Sequence, residues 1–253
     1  MTLTISQWHQ RYQQQAQWTQ NLRKYIYGQI GIQKAHKILD IGCGTGVLED
    51  ELNRHPSAHI FGLDIDLNAL RIAQGYAQNS IYTNGDCLQL PYRSRTFDVT
   101  MCHFLLIWVK EPLNAVREMA RVTRPNGFIL ALAEPDYGGR IDFPPELSQI
   151  GTWQCEALKE QGANPYMGRE LRSVFSRAGL VDNEVGVLGG QWEEKITEQE
   201  IELEWEVIQS DLHQINEFIM QEEKLKALDL VSRQARQRIL FVPTFYAFGM
   251  VIG

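Results

Sequence analysis

The chain has 253 residues, of which 44% are hydrophobic and 22% are charged, and its formal net charge is −7. This length and composition are typical of one large globular domain, or of one domain with an appendage. The acidic balance argues against nucleic acid as a substrate or partner, because the basic residues form no run longer than a short pair.

The cysteines and the apolar segments indicate the cellular compartment in which the protein is expected. No close Cys-x-x-Cys pair is present, which predicts a reducing compartment and no zinc site; the cysteines are Cys43, Cys87, Cys102 and Cys155. The first residues lack the basic start and apolar core of a signal peptide. The longest apolar run, residues 239–252, is interrupted by Pro243 and Gly249. We therefore expect a cytoplasmic protein with no membrane span and no bound metal.

The first predicted elements are one or two helices within residues 6–30, a glutamine-rich segment. Large apolar residues recur there at roughly helical intervals, at Trp8, Tyr12, Trp18, Leu22 and Ile26. A low-complexity linker is the alternative, but the aromatic residues favour packing. We interpret residues 1–36 as an N-terminal helical cap.

A strand and a glycine turn follow at residues 37–47. Ile38, Leu39 and Ile41 predict a short buried strand, and alternating glycines then lead into a helix, in the pattern Asp40-x-Gly42-x-Gly44-x-Gly46. A glycine-rich turn between a strand and a helix brings the backbone close to a ligand and leaves N–H groups free at the helix N-terminus. The pattern therefore predicts a nucleotide-type site, although its spacing differs from that of dinucleotide-binding folds.

The second predicted strand, residues 59–64, ends at Asp64, which lies 18 residues after Gly46. Ligands of open α/β sheets bind at the carboxyl ends of the strands, where an acidic side chain suits a ribose diol. Capping of the next helix is the alternative role, and Asp66 fits it better.

A third strand begins at Ile81 and ends in a polar turn that contains Asp86 and Cys87. A simple turn, in which the Asp86 side chain bonds the backbone, is the alternative to a ligand role. A fourth strand starts at Phe97, Pro112 opens a helix, and a fifth strand covers residues 128–133 after a tight turn. Strands that alternate with helices predict a parallel sheet with right-handed crossovers.

Four motifs in residues 37–135 together resemble class I S-adenosylmethionine (SAM) methyltransferases, of the ubiquinone/menaquinone-biosynthesis type. They are the glycine turn, the Asp64 strand end, the segment from Asp86 to Pro91, and Phe97-Asp98 with Arg121-Val-Thr-Arg-Pro-Asn-Gly127. Thr123, Arg124 and Asn126 depart mildly from the family pattern. The resemblance implies an α/β, Rossmann-like sheet of seven strands, mostly parallel with the last antiparallel, and helices on both faces.

The same resemblance implies SAM as the cofactor. Asp64 would bind the ribose diol, Asp86 the adenine amine, and the Cys87 N–H a ring nitrogen of adenine. The cofactor-binding residues expected in this way are Tyr12, Trp18, Asp40, Gly42, Cys43, Gly44, Gly46, Asp64, Ile65, Asp86, Cys87 and His103.

The C-terminal third departs from a plain family pattern. A sixth strand is predicted at residues 180–188, so residues 37–190 form the SAM-binding core. Residues 191–240 are read as an inserted helical lid, and residues 241–253 as the last strand of the core. Thr197 and Glu200 form a capping-box pattern, and an unbroken helical stripe follows: Ile201, Trp205, Ile208, Leu212, Ile215 and Ile219. We expect this stripe to face the substrate cavity; a coiled-coil partner interface is the alternative.

Methyl transfer requires the acceptor atom to be aligned with the methyl group of SAM. The reaction type alone does not require a catalytic acid or base. His103, at the end of the fourth strand, is a candidate base, and a packing role is its alternative. Glu134, Asp136 and Tyr137 are similar candidates. Residues expected at the substrate are Trp108, Tyr137, Arg140, Trp192 and Trp205, with Trp8 and Trp18 completing an aromatic pocket.

The favoured function is therefore a SAM-dependent methyltransferase that acts on a small, aromatic or apolar acceptor, as a monomer or homodimer. A nicotinamide-dependent reductase is a second hypothesis, against which the glycine spacing and the Asp86 segment argue. A catalytically silent SAM-fold partner protein is the third.

Overall fold

A computed structural model describes residues 4–54, 57–189 and 197–252. The helices are α1 Ile5–Trp18, α2 Gln20–Ile30, α3 Val47–Leu52, α4 Leu67–Tyr76, α5 Pro112–Val122, α6 Ser148–Glu160, α7 Met167–Arg177, α8 Glu198–Leu212, α9 Asn216–Ile219 and α10 Glu222–Gln234. The strands are β1 Lys37–Ile41, β2 His59–Asp64, β3 Ile81–Asn84, β4 Phe97–Cys102, β5 Thr123–Pro135, β6 Ile141–Phe143, β7 Val181–Val187, β8 Ile239–Phe241 and β9 Thr244–Met250.

Seven strands form the main sheet, in the order β3-β2-β1-β4-β5-β9-β7. The pairs among β1 to β5 are parallel, and β9 lies antiparallel between β5 and β7. Six strands thus run one way and the last runs the other way. This arrangement confirms the predicted Rossmann-like sheet.

Both faces of the sheet are covered by helices. Along β1, Ile38 packs into the apolar cluster that includes Ile26 of α2, whereas Leu39 and Ile41 pack into the cluster that includes Val116 of α5. Successive side chains of a strand point to opposite faces, so one strand contributes to both clusters. Burial of each such side chain stabilises the fold by about 1.5–3 kcal/mol.

The C-terminal half holds elements that sequence patterns did not predict. The last strand does not begin at Phe241 as predicted, because residues 239–241 form β8, which pairs with β6 in a separate two-stranded sheet. Pro243 follows β8, and the last strand of the main sheet begins at Thr244. Helix α6 was also missed. None of the helices in the described ranges is long and apolar enough to cross a membrane.

The inserted helices differ from expectation in continuity and in the surface they cover. The capping box of Thr197 and Glu200 is present. Helix α8 ends at Leu212, however, so the predicted unbroken stripe to residue 219 was wrong. Most of the stripe does not face the cavity: Trp205, Ile208 and Leu212 pack with Trp153 of α6 in a third cluster, whereas Ile215 of the stripe does line the cavity.

A chain of buried ion pairs attaches these helices to the rest of the fold. Arg238 donates to Asp229 of α10 at 2.5 Å and to Asp142 of β6 at 2.7 Å. Asp229 also accepts from Arg233 at 2.8 Å and from the Trp205 indole at 3.1 Å. The two Asp229 oxygens thus bind α8 and α10 to the small sheet.

Candidate functional site

The site begins at the glycine turn between β1 and α3. Gly42, Gly44 and Gly46 have φ angles of 73°, 53° and 82°, a region that favours glycine. A Cβ added at Gly42 would lie 2.7 Å from the Leu105 side chain, and one at Gly44 would lie 3.2 Å from the Tyr12 ring. The turn therefore needs glycine both for its backbone and for its close neighbours.

The amides of this turn are bonded within the protein. Gly42 and Cys43 both donate to the Leu63 carbonyl oxygen, at 2.7 and 3.1 Å. The Gly44 N–H donates to Oδ2 of Asp64 at 2.7 Å. These three amides are not free donors, contrary to the sequence-based expectation. Their bonds fix the turn against the end of β2.

A cavity of about 720 Å³ opens beside the glycine turn. One part of its wall is formed by Asp40, Gly42, Cys43, Gly44 and residues of α1. Other parts of the wall come from three further regions, and their residues include Trp108, Tyr137, Val207, Ser210, Asp211 and His213. Helix α8 thus borders the cavity through Val207, Ser210 and Asp211, which lie outside its apolar stripe. The stripe residue Ile215, beyond the end of α8, also lies in the wall.

Asp40 is a buried carboxyl group in this wall. It is 2% exposed, and its Oδ1 has no hydrogen-bond partner among the described residues. Burial, and then the charge of Asp64, raise the pKa of Asp40 to about 8, against the lowering effect of Arg23. A positive charge in the cavity would favour the ionised form of this group.

The expected adenosine side lies at the neighbouring strand ends, outside the cavity wall. Asp64 is half-buried and accepts one backbone N–H on each oxygen, from Gly44 and Asp66. Ile65 beside it is exposed. Asp86 accepts the Leu88 N–H at 2.8 Å, which is the turn that the sequence left open as an alternative. Cys87 is half-buried. A carboxylate has about four lone-pair sites, so each aspartate retains acceptor capacity for a ligand.

His103 lines the cavity, but its ring is held by neighbours. Its Nε2 lies 2.9 Å from Oγ1 of Thr19, at the junction of α1 and α2. Burial, and then the charge of Arg23, lower the pKa of His103 to about 3. An imidazole with so low a pKa is a weak proton acceptor. These contacts favour the packing role over the catalytic one.

Glu134 faces inward and organises the loop after β4. It is fully buried and accepts the backbone N–H groups of Leu105, Leu106 and Ile107 at 3.1, 2.9 and 3.0 Å. Burial raises its pKa to about 7, against these three donors, which favour the carboxylate. Glu134 thus positions the residues that line the cavity from this loop.

Two of the predicted site residues are occupied elsewhere. Asp136 is 2% exposed, lies outside the cavity wall and binds the Arg169 guanidinium through both oxygens, so it is not placed to act as a base. Arg140 also lies outside the wall; its guanidinium binds Asp142 at 2.7 Å and donates to Gln154. It is therefore not available to hold a substrate carboxylate.

The predicted aromatic pocket is partly assembled. Trp8 and Trp108 line the cavity, and so do Tyr12 and Tyr137. Trp18 is instead 49% exposed, with Arg11 over its ring, and lies outside the wall. Trp205 is 1% exposed and packs in the cluster with Trp153, because its indole bonds Asp229. Trp192 lies outside the described residues.

Arg11 and Asp211 are cavity residues that sequence reasoning missed. Arg11 lies in a glutamine-rich segment with no recognisable motif. Asp211 lies on the polar side of α8, and only the apolar side of that helix showed a pattern in the sequence. A search of the described residues for clusters able to hold a metal ion found none.

Comparison with known proteins finds relatives among the methyltransferases. A family model described as a methyltransferase domain matches residues 39–131. The chain is 28% identical over 174 residues to an uncharacterized methyltransferase of Schizosaccharomyces pombe, an alignment that covers 64% of this chain and 62% of that protein. It is 29% identical over 185 residues to the demethylmenaquinone methyltransferase of Geobacillus stearothermophilus, with 64% of this chain and 78% of that protein covered.

The fold has solved counterparts as well. The chain is similar to the YcgJ protein of Bacillus subtilis, with a TM-score of 0.57 and 20% identity, over 89% of this chain and 97% of that one. The sheet order, the glycine turn with its two aspartates and the matched domain agree with one another. Residues 39–131 are similar to a methyltransferase domain, and the chain spans 62% of the length of the first relative and 78% of the second; these findings support a class I SAM-dependent methyltransferase.

Proposed function

We propose that this protein transfers a methyl group from SAM to a small acceptor with an aromatic or apolar body. The observation that carries the proposal is the single cavity, which joins the glycine turn to walls that contain Trp8, Trp108 and Tyr137. Its volume of about 720 Å³ lies within the range of roughly 300–1,000 Å³ found for small-molecule sites. Aromatic walls suit a planar ligand.

The residues of the site fit SAM. Asp40 is a buried carboxyl group without a partner on one oxygen, and a ligand with a sulfonium and an ammonium group supplies a positive charge to this wall. Asp64 and Asp86 have lone pairs left for hydroxyl and amine donors at the strand ends. Gly42 and Gly44 carry no side chain into the cavity wall, which leaves room for a ligand close to the backbone.

Bound SAM supplies an electrophilic methyl group. The protein must hold the acceptor in line with it and exclude water, and such alignment is worth about 7–11 kcal/mol in the best intramolecular cases. Glu134 fixes the loop that carries Leu105 and Ile107 into the wall, which keeps this side of the cavity in one shape. We further propose that the helices within residues 197–240 act as a lid over the acceptor. In this division of the chain, residues 37–190 and the last strand form the SAM-binding core, and residues 1–36 form the N-terminal cap.

The similarity to a demethylmenaquinone methyltransferase supports an acceptor with a ring. The overall charge of −7 supports a small molecule over nucleic acid. We place the protein in the cytoplasm on the basis of its cysteine pattern. Both monomer and homodimer are compatible with the proposal.

Binding experiments separate this function from its rivals. In a thermal-shift assay, SAM and S-adenosylhomocysteine should raise the melting temperature, whereas NAD and NADP should not, because the glycine spacing departs from the dinucleotide pattern. A shift with NAD and none with SAM would support a reductase. Transfer of labelled methyl to a small-molecule extract would exclude the silent partner protein.

A further inference from the structure

The acceptor side of the cavity holds three polar groups that the proposed function leaves without a role. They come from distant parts of the chain: Arg11 from α1, Tyr137 from the turn after β5, and Asp211 from α8. All three line the same cavity as Asp40 and the glycine turn.

Asp211 is held in place by a buried chain of hydrogen bonds. Nε2 of Gln154 donates to Oδ2 of Asp211 at 2.6 Å, and Oε1 of Gln154 accepts from Arg140. Gln154 is 3% exposed, and Arg140 is fixed by Asp142. The other oxygen of Asp211 has no hydrogen-bond partner in the described ranges. One oxygen is therefore anchored while the second remains able to accept a proton.

Arg11 brings a positive charge to the same wall. Its guanidinium donates to Oε1 of Gln14 at 2.6 Å and lies 4.6 Å from the centre of the Trp18 ring. Across the described ranges it forms no ion pair with a carboxylate. Arg11 and Asp211 line the same cavity and form no ion pair with each other in the described ranges, so both groups remain available to a ligand. A guanidinium disfavours an ammonium acceptor and stabilises a developing oxyanion.

We propose that Asp211 is a catalytic base that takes the proton from a hydroxyl group of the acceptor, and that Arg11 stabilises the negative oxygen that results. This inference rests on the proposed function and narrows its substrate class to hydroxyl compounds. The hydroxyl proton moves to Asp211, an oxygen lone pair forms the new O–CH₃ bond, and the C–S bond breaks to leave a neutral thioether. Asp211 then releases its proton to solvent.

The environment of Asp211 suits this task near neutral pH. Burial raises its pKa to about 6, while the hydrogen bond from Gln154 and the charges of Arg11, Arg140 and His213 act in the opposite direction. Burial, and then the charge of Asp211, raise the pKa of Tyr137. The group is ionised above about pH 6 and remains basic enough to accept a proton.

The test uses 2,4-dinitrophenol, which is ionised from about pH 5 to about pH 8 and therefore imitates the deprotonated acceptor. Its affinity is measured in the presence of S-adenosylhomocysteine. Wild type should bind it with an affinity that falls as pH rises through about 6, because the Asp211 carboxylate then repels the phenolate. Asp211→Asn should remove this pH dependence and bind the phenolate at least about tenfold more tightly at about pH 7.5.

The second part of the test measures the rate of methyl transfer. Asp211→Asn should lower methyl transfer by about 10²–10⁴-fold, because the amide cannot accept the proton. A purely structural role would weaken phenolate binding and turnover together. Glu202→Gln is the matched control, since it removes an exposed carboxylate from the same helix and should behave like wild type.

The proposal is overturned if wild type fails to bind the phenolate, or if Asp211→Asn shows the wild-type pH dependence. Failure of the proposed function looks different, because SAM and S-adenosylhomocysteine would then produce no thermal shift in the wild type. Tight SAM binding with unchanged Asp211→Asn turnover would leave the methyltransferase proposal standing and refute the base.

Discussion

Asp40 is a buried carboxyl group whose surroundings a cationic ligand would complete. A buried carboxyl group that lacks a partner is costly, because it has lost its hydration. This aspartate lies two residues before the first glycine of the turn, and the structure places it in the cavity wall. A cationic ligand would supply the missing partner and would draw the proton from the carboxyl group.

SAM affinity should therefore depend on pH through Asp40. Below its pKa of about 8 the empty site keeps the proton, and binding of the cation releases it. Affinity should rise with pH, by up to about tenfold per pH unit, between about pH 5.5 and 7.5. Calorimetry in buffers of different ionisation heat measures the released proton. Asp40→Asn should release none, whereas Asp50→Asn, on the exposed side of α3, should behave like wild type.

Asp64 should contribute to SAM affinity through hydrogen bonds to the ribose hydroxyls. Hydrogen bonds to a charged group are worth about 1.5–3 kcal/mol, so Asp64→Ala should weaken SAM binding by roughly tenfold to hundredfold. Asp66→Ala, which removes only the cap of α4, should leave affinity within about threefold. Equal SAM affinity in wild type and Asp64→Ala, measured by calorimetry, would remove Asp64 from the site.

At the scale of elements, the inserted helices are held to the core by charge as well as by apolar packing. Asp229 is 2% exposed and binds Arg233, Arg238 and the Trp205 indole. Removal of one partner from such a network leaves buried charges without compensation. The attachment of α8 and α10 should thus depend strongly on this single carboxylate.

Asp229→Ala should lower the free energy of unfolding by about 3–5 kcal/mol. The exposed pair of Lys226 and Glu202 provides the comparison, and Glu202→Gln should cost less than about 1 kcal/mol. Urea denaturation of the two variants measures both values. Similar small losses in the two variants would show that the buried network does not anchor the helices.

Sequence patterns correctly predicted those elements whose structure is determined by a few neighbouring residues. The glycine turn, the capping box at Thr197 and the parallel strands are signals of this kind. The surface covered by α8 was predicted wrongly, because an apolar stripe at Trp205 and Ile208 shows that a helix is buried but not against what. The break after Leu212 was also missed, since the apolar spacing continues through it.

At the scale of the whole molecule, the cavity joins residues that are distant in sequence. Arg11 and Asp211 are separated by 200 positions, and no local pattern links them. Asp136 and Arg140 were expected at the site because they follow β5, but their charges are satisfied by Arg169 and Asp142. A polar side chain is available to a ligand only if the fold gives it no oppositely charged neighbour, and the sequence pattern did not reveal these neighbours.

We propose that this cavity moves a methyl group from SAM to a small acceptor. The most direct measurement incubates the protein with methyl-labelled SAM and a fractionated cell extract, and follows the label. We predict label in the small-molecule fraction, with transfer reduced by at least about tenfold in Asp64→Ala. Label confined to protein or nucleic acid, or no transfer by wild type, would contradict the account.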